Sequence, residues 1–156
     1  IDSTYDEYVF KFYDIHPATD NVQFSFQGST DGGSSYGVTI TSTFFRAYNY
    51  EGGTDAALEY DASEDLAQST SFQILSSQCG NDNDQSCSGY LHLFNPSSTT
   101  FVKHFIAKIN NYHQGDYSRN FFPAGYFNST SAIDAIQFKM SSGNIDSGVI
   151  KLYGVS

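Results

Sequence analysis

Alternation of apolar and polar side chains in the last third of the chain constrains the fold more than any other feature. In Ile136-Gln137-Phe138-Lys139-Met140 every second residue is apolar, the period that places one set of side chains on one face of a strand and the other set on the opposite face. Val149-Ile150-Lys151-Leu152-Tyr153-Gly154-Val155 repeats it. Between them, Ser141-Ser142-Gly143-Asn144 is made of residues that turn the chain or tolerate positive φ. The two runs therefore read as a β-hairpin that closes the domain.

The same signal recurs upstream. Tyr8 to Ile15 reads as a strand ending before His16-Pro17. Asn21 to Gln27 alternates cleanly, with Val22, Phe24 and Phe26 opposed to Gln23, Ser25 and Gln27. Tyr36 to Tyr50, Thr70 to Leu75, Tyr90 to Phe94, Thr99 to Ile109 and Asn120 to Phe127 add further strand candidates, with Pro123 marking an edge or a break. The Ala- and acid-rich stretch from Thr54 to Gln68 reads as a long loop or a short helix, and residues 110 to 119 as a polar, Tyr-rich connection. Phe and Tyr number 14 and 12 while Trp is absent, which favours pleated, half-buried surfaces over helices. A chain of 156 residues fits one domain over 1–156. The expectation is an all-β fold: a jelly-roll-like antiparallel β-sandwich of eight or nine strands.

Seventeen acidic residues against seven basic ones give a net charge of −10, a field that repels phosphate backbones and anionic lipid; neither nucleic acid nor membrane is an expected partner. No apolar stretch approaches the roughly 20 residues that cross a bilayer, and the first residues lack the regions of a signal peptide. A start at Ile1 rather than Met is expected of a processed product, a fragment or part of something longer.

Cys79 and Cys87 bracket a short acidic loop. A disulfide closing that loop, worth roughly 2.5 kcal/mol in a chain-entropy model, is the favoured reading; two free thiols are the alternative. A metal site would need His or acidic partners. Asn81 to Asp84 resemble part of a calcium loop but lack its Gly and distal Glu. His16, His92, His104 and His113 read as packed or solvated, so no metal or cofactor is expected. Catalytic motifs are absent, and although Asp61 and Glu64 offer a carboxylate pair, nothing in the sequence sets the spacing that glycoside hydrolysis needs. Tyr48, Tyr50, Tyr60, Tyr112, Tyr117 and Tyr126, mixed with Asn, Asp, Gln and Ser, form either a binding surface for protein or sugar or the rim of a Phe-rich core. Asn128-Ser129-Thr130 matches a glycosylation sequon.

Ile1-Asp2-Ser3-Thr4-Tyr5, Phe94-Asn95-Pro96-Ser97-Ser98-Thr99-Thr100, Thr130-Ser131-Ala132-Ile133, Ser141-Ser142-Gly143-Asn144-Ile145 and Gly148-Val149-Ile150-Lys151-Leu152-Tyr153-Gly154 together resemble a family of proteins encoded by marine tailed bacteriophages. The resemblance spans nearly the whole chain and rests on turns and the strands they join. It implies a structural protein at the virion surface, a tail-fibre tip or a capsid decoration. Such a protein would bind other virion proteins, a host surface glycan or a host protein, with no enzymatic activity. By analogy with such assemblies, a homo-oligomer, a trimer, is expected. A free lectin-like carbohydrate-binding module is the alternative, and a polysaccharide hydrolase the third.

Overall fold

The computed structural model describes residues 1–156, and its regular structure is entirely β. Ten strands follow one another: β1 (Glu7–Pro17), β2 (Val22–Ser29), β3 (Ile40–Tyr50), β4 (Ala56–Tyr60), β5 (Gln73–Cys79), β6 (Cys87–Phe94), β7 (Lys103–His113), β8 (Tyr117–Phe127), β9 (Ala135–Met140) and β10 (Ile145–Val155). Every ladder is antiparallel, and pairing is continuous through all ten strands. Seven strands run in the order β10-β1-β6-β7-β8-β3-β4 and three in the order β5-β2-β9. One residue pair, Cys79 opposite His113, joins the groups.

The two groups pack face to face. Phe12 of β1 meets Phe24 of β2 edge-on at 5.2 Å, and Phe26 of β2 meets Phe105 of β7 edge-on at 5.0 Å, the geometry that aligns a ring's positive edge with its neighbour's negative face. Val22, Phe24 and Phe26 are all buried, as their alternation requires. The all-β, sandwich-like fold read from the sequence is the fold of the chain. Its strands divide seven and three, whereas a jelly roll is built from eight in two Greek keys.

Three expectations change. First, β9 and β10 do not form a hairpin: β9 pairs with β2 and β10 with β1. Ser141-Ser142-Gly143-Asn144 crosses from one layer to the other, tied by Ala18 N–H to Asn144 O at 3.0 Å and by Gln23 N–H to Ser141 Oγ at 3.0 Å. Gly143 takes φ +67 there, a conformation glycine enters without Cβ strain. Second, the expected loop or short helix holds β4, which pairs residue by residue with β3 from Phe45–Tyr60 to Asn49–Ala56; this raises the count to ten. Third, residues 110 to 119 are the ends of β7 and β8 and the tight turn between them, not a long connection.

Pro123 is tolerated inside a paired strand for a local reason. It sits opposite Phe44 of β3, while on its β7 side the ladder skips from Ile106–Ala124 to Ile109–Phe121 without a change of register. The missing rungs fall where a residue without N–H could not donate. At the start of β7, Ser98 Oγ accepts from Thr100 N–H and Phe101 N–H, which keeps residues 99 to 101 in a turn and delays the strand to Lys103.

Candidate functional site

The register gathers four tyrosines at one end of the larger layer. His113 of β7 lies directly opposite Tyr117 of β8, which lies directly opposite Tyr50 of β3. Directly opposed residues share a face of a sheet, so the three rings form a column: His113 on Tyr117 at 3.9 Å and Tyr117 on Tyr50 at 4.2 Å, both stacked. Tyr48, two residues back on β3, meets both tyrosines edge-on at 6.0 and 6.1 Å. Its hydroxyl donates to Asp55 at 3.3 Å.

Beside this column, Asn49, Tyr50, Glu51, Asn110, Asn111, Tyr112 and Ser118 line a groove of about 380 Å³. Tyr112 points to the other face of the sheet from His113, so the groove wraps the rim between the turns that end β3 and β7. Hydrogen bonding to the Glu51 carboxylate, reinforced by burial, pushes the Tyr112 phenol up to about 12. Asn110 Nδ2 donates to Ser118 Oγ at 3.0 Å and to Arg119 O at 2.8 Å, which fixes the floor. Of the six singled-out tyrosines, Tyr48, Tyr50 and Tyr117 thus meet in one column and Tyr112 lies at the same end of the layer on its opposite face, all on strand ends rather than in loops. Tyr60 is exposed at the end of β4 and donates to Asp65. Tyr126 stands apart in a second groove of about 460 Å³ with His104, Ile106 and Thr41.

Beneath the column the interior is polar. Arg119 is buried, with its guanidinium 5.7 Å from the Tyr117 ring and 5.3 Å from the Phe121 ring, and Nη1 donates to Gln78 Oε1 at 2.6 Å. Gly115 N–H donates to His113 Nδ1 at 2.9 Å, so the ring's own proton sits on Nε2. Burial, with help from Arg119, drives the His113 pKa down from 6.5 to about 4. His113 Nε2, Arg119 Nε, Asn111 Oδ1, Ser77 Oγ and Glu64 Oε2 are buried without a hydrogen-bond partner in the protein. Sequence reading missed this layer because Asn, Arg and His carry no inward signal in a polar run.

Of the carboxylate pair, only Asp61 is ion-paired. Asp61 is salt-bridged to Arg46, which also holds Glu59 at 2.7 Å, while burial raises the pKa of Glu64. His92 pairs with Glu7, and His104 lies 5.8 Å from Tyr126. The acidic loop is organised from inside by Gln85, whose Oε1 accepts from Asp82 N–H at 3.1 Å; Asp82 and Asp84 face outward.

The expected disulfide is not formed. Cys79 and Cys87 are free, buried thiols, one closing β5 and the other opening β6, and both face the core, so the loop is held by strand pairing and Gln85 without a covalent bond. A hydrogen bond from Cys87 lowers Cys79 to about 7 against the effect of burial. Donating that bond, with burial added, raises Cys87.

No family model, no curated protein and no solved structure matches the chain.

Proposed function

We propose that this chain is a non-enzymatic surface protein of a bacteriophage particle, a fibre tip or capsid decoration, that acts by binding glycan or protein through its tyrosine-bearing rim. The observation that carries the binding reading is the groove at this rim, lined by Tyr112, Asn49, Asn110 and Ser118 of one sheet face together with Tyr50 and Glu51 at the end of β3. Tyrosine offers a stiff apolar face with a polar tip at low entropic cost, and amide and hydroxyl side chains supply adaptable hydrogen bonds. A sugar ring has the complementary make-up, apolar C–H faces edged with hydroxyls. The stacked column braces Tyr50 from behind, so little ordering is left to the moment of binding. Of the acidic side chains near this rim, Asp55 accepts from Tyr48 and Glu51 acts on the Tyr112 phenol, contacts that suit recognition. The virion assignment rests on the sequence resemblance.

Two measurements test the proposal. A density map of the parent particle should place the chain on the outside, at a fibre tip or over the capsid lattice. An array of bacterial surface polysaccharides should give saturable binding that Tyr50→Ala and Tyr112→Ala each weaken roughly tenfold or more, the usual cost of an aromatic anchor. Binding by a chain that is absent from the particle would support the lectin-like alternative. Release of shortened oligosaccharides would contradict the non-enzymatic reading.

A further inference from the structure

We infer that β10 is a self-association edge, and that two copies of this chain pair through it, antiparallel, about a two-fold axis at Leu152. β10 ends the seven-strand order, bonded to β1 on one side and to nothing on the other. Its register with β1 is unbroken from Val149–Tyr13 to Val155–Glu7, so the backbone groups along its outer side form a straight, unpaired row. Proteins usually blunt such edges with short strands, prolines, bulges or charges. The other ends comply: β4 has five residues and β9 six. β10 has eleven; its pairing with β1 is irregular between Ile145 and Val149, but the seven residues from Val149 to Val155 run regularly and offer one charge, Lys151, whose ammonium lies over the Tyr13 ring at 5.0 Å.

Both faces of the strand are bare. The β5-β2-β9 layer covers Phe10 and Phe12 of β1 but stops before β10, leaving Ile150 at 38% and Leu152 at 51% exposure on the inner face. Val149, Tyr153 and Val155 are 50%, 44% and 45% exposed on the outer face. Together these amount to roughly 400 Å² of exposed side chain divided between the two faces of one strand, against apolar patches of a few hundred Å² on a typical monomer. Tyr5 and Tyr13 flank it, each 40% exposed. Edge pairing would cover part of this side-chain area together with the strand backbone, which places the contact at the small end of specific interfaces.

A second copy is the occupant because the strand is complementary to itself in one register. A two-fold axis normal to the sheet keeps each face on its own side. Centred on Leu152, it sets Leu152 against Leu152, Lys151 against Tyr153, Val149 against Val155 and Ile150 against Gly154. Lys151 meets the aromatic ring that Lys11 also lies over at 5.2 Å, and Ile150 meets the glycine over which the Tyr5 ring lies. Centring on Lys151 instead opposes two like charges, which is unfavourable. The resulting contact is isologous and closes on itself as a dimer, unlike the three-fold assembly expected from the phage resemblance.

Sedimentation velocity of the full chain over a concentration series tests this. A dimer is expected, and since each copy carries −10, raising the salt should tighten it by screening mutual repulsion. Leu152→Arg should weaken it roughly 100-fold, as loss of a central anchor does, with the near-ultraviolet circular dichroism unchanged; Leu58→Arg, more exposed still but on the remote strand β4, should not. Leu152→Cys under mild oxidation should give a covalent dimer that Leu58→Cys does not. A monomer at every concentration, a dimer indifferent to Leu152→Arg, or an edge that only a different protein occupies would overturn the inference.

Discussion

Removing the Phe26 ring is the sharpest test of how the two layers are held together. Phe26 is fully buried on the smaller layer, edge-on to Phe105 at 5.0 Å and to Phe127 at 6.0 Å on the larger one, with Phe138 of its own layer 6.4 Å away. Phe26→Ala deletes the apolar burial and leaves a cavity that those three rings, each fixed by its own strand, fill only in part. Substitutions of this kind cost about 3 to 5 kcal/mol, and the lost edge contacts place this one near the middle, about 4 kcal/mol. At about 2 to 4 °C per kcal/mol for a domain of this size, Tm should fall by about 12 °C. A urea series followed by far-ultraviolet circular dichroism should show the midpoint falling by about 2 M with an unchanged slope. Phe101→Ala, at 70% exposure, should stay within about 0.5 kcal/mol of the parent. Equal, small losses for the two substitutions would refute face-to-face packing through Phe26.

Protonation of His113 should be costly. Its folded pKa, about 4, lies below the ordinary 6.5, so between these values the unfolded chain binds a proton that the folded chain does not. Its contribution is fully present above pH 6.5 and is lost as pH falls toward 4. Glu64, raised by burial, acts in the opposite sense, so the test is that His113→Gln flattens the decline in Tm over this window. Alkylation followed by intact-mass measurement should find two modified thiols in the denatured protein without any reductant and none in the folded one, since Cys79 and Cys87 are free and buried; a bonded pair would give no adduct in either state. Gly125→Ala should cost at least about 1 to 3 kcal/mol in a denaturant midpoint, because a Cβ there would stand 2.4 Å from Thr41 O and 2.8 Å from Ser42 Cα; a neutral effect would contradict the close approach of β3 and β8.

The strands legible in the sequence were those with one apolar face and one polar face. Val22-Phe24-Phe26 and Ile136-Phe138-Met140 point into the same core and were read correctly. β4 was hidden because its larger side chains, Leu58 and Tyr60, face solvent at 70% and 55% exposure, which leaves Ala57 and Glu59 on the covered side. The far ends of β7 and β8 were hidden for the opposite reason: their inward residues are Asn111, His113 and Arg119, held by hydrogen bonds and ring stacking instead of apolar burial. Partner choice was also invisible. Ile136–Met140 and Val149–Val155 alternate alike, yet they lie in different layers, because nothing in a period of two says which strand is the neighbour. Of the site, residue types were legible and their assembly was not. Tyr48, Tyr50, Tyr112 and Tyr117 are brought together by the register of three strands, and Tyr60 and Tyr126 are left out by it.

The claim that the tyrosine-bearing rim is where this protein meets its ligand is tested most directly by following backbone amide resonances while a polysaccharide that binds on the array is titrated in. Saturable shifts concentrated at Asn49 to Glu51 and Asn110 to Ser118, and lost in Tyr50→Ala, are the expected result. Saturable shifts elsewhere, with that rim silent, would contradict it.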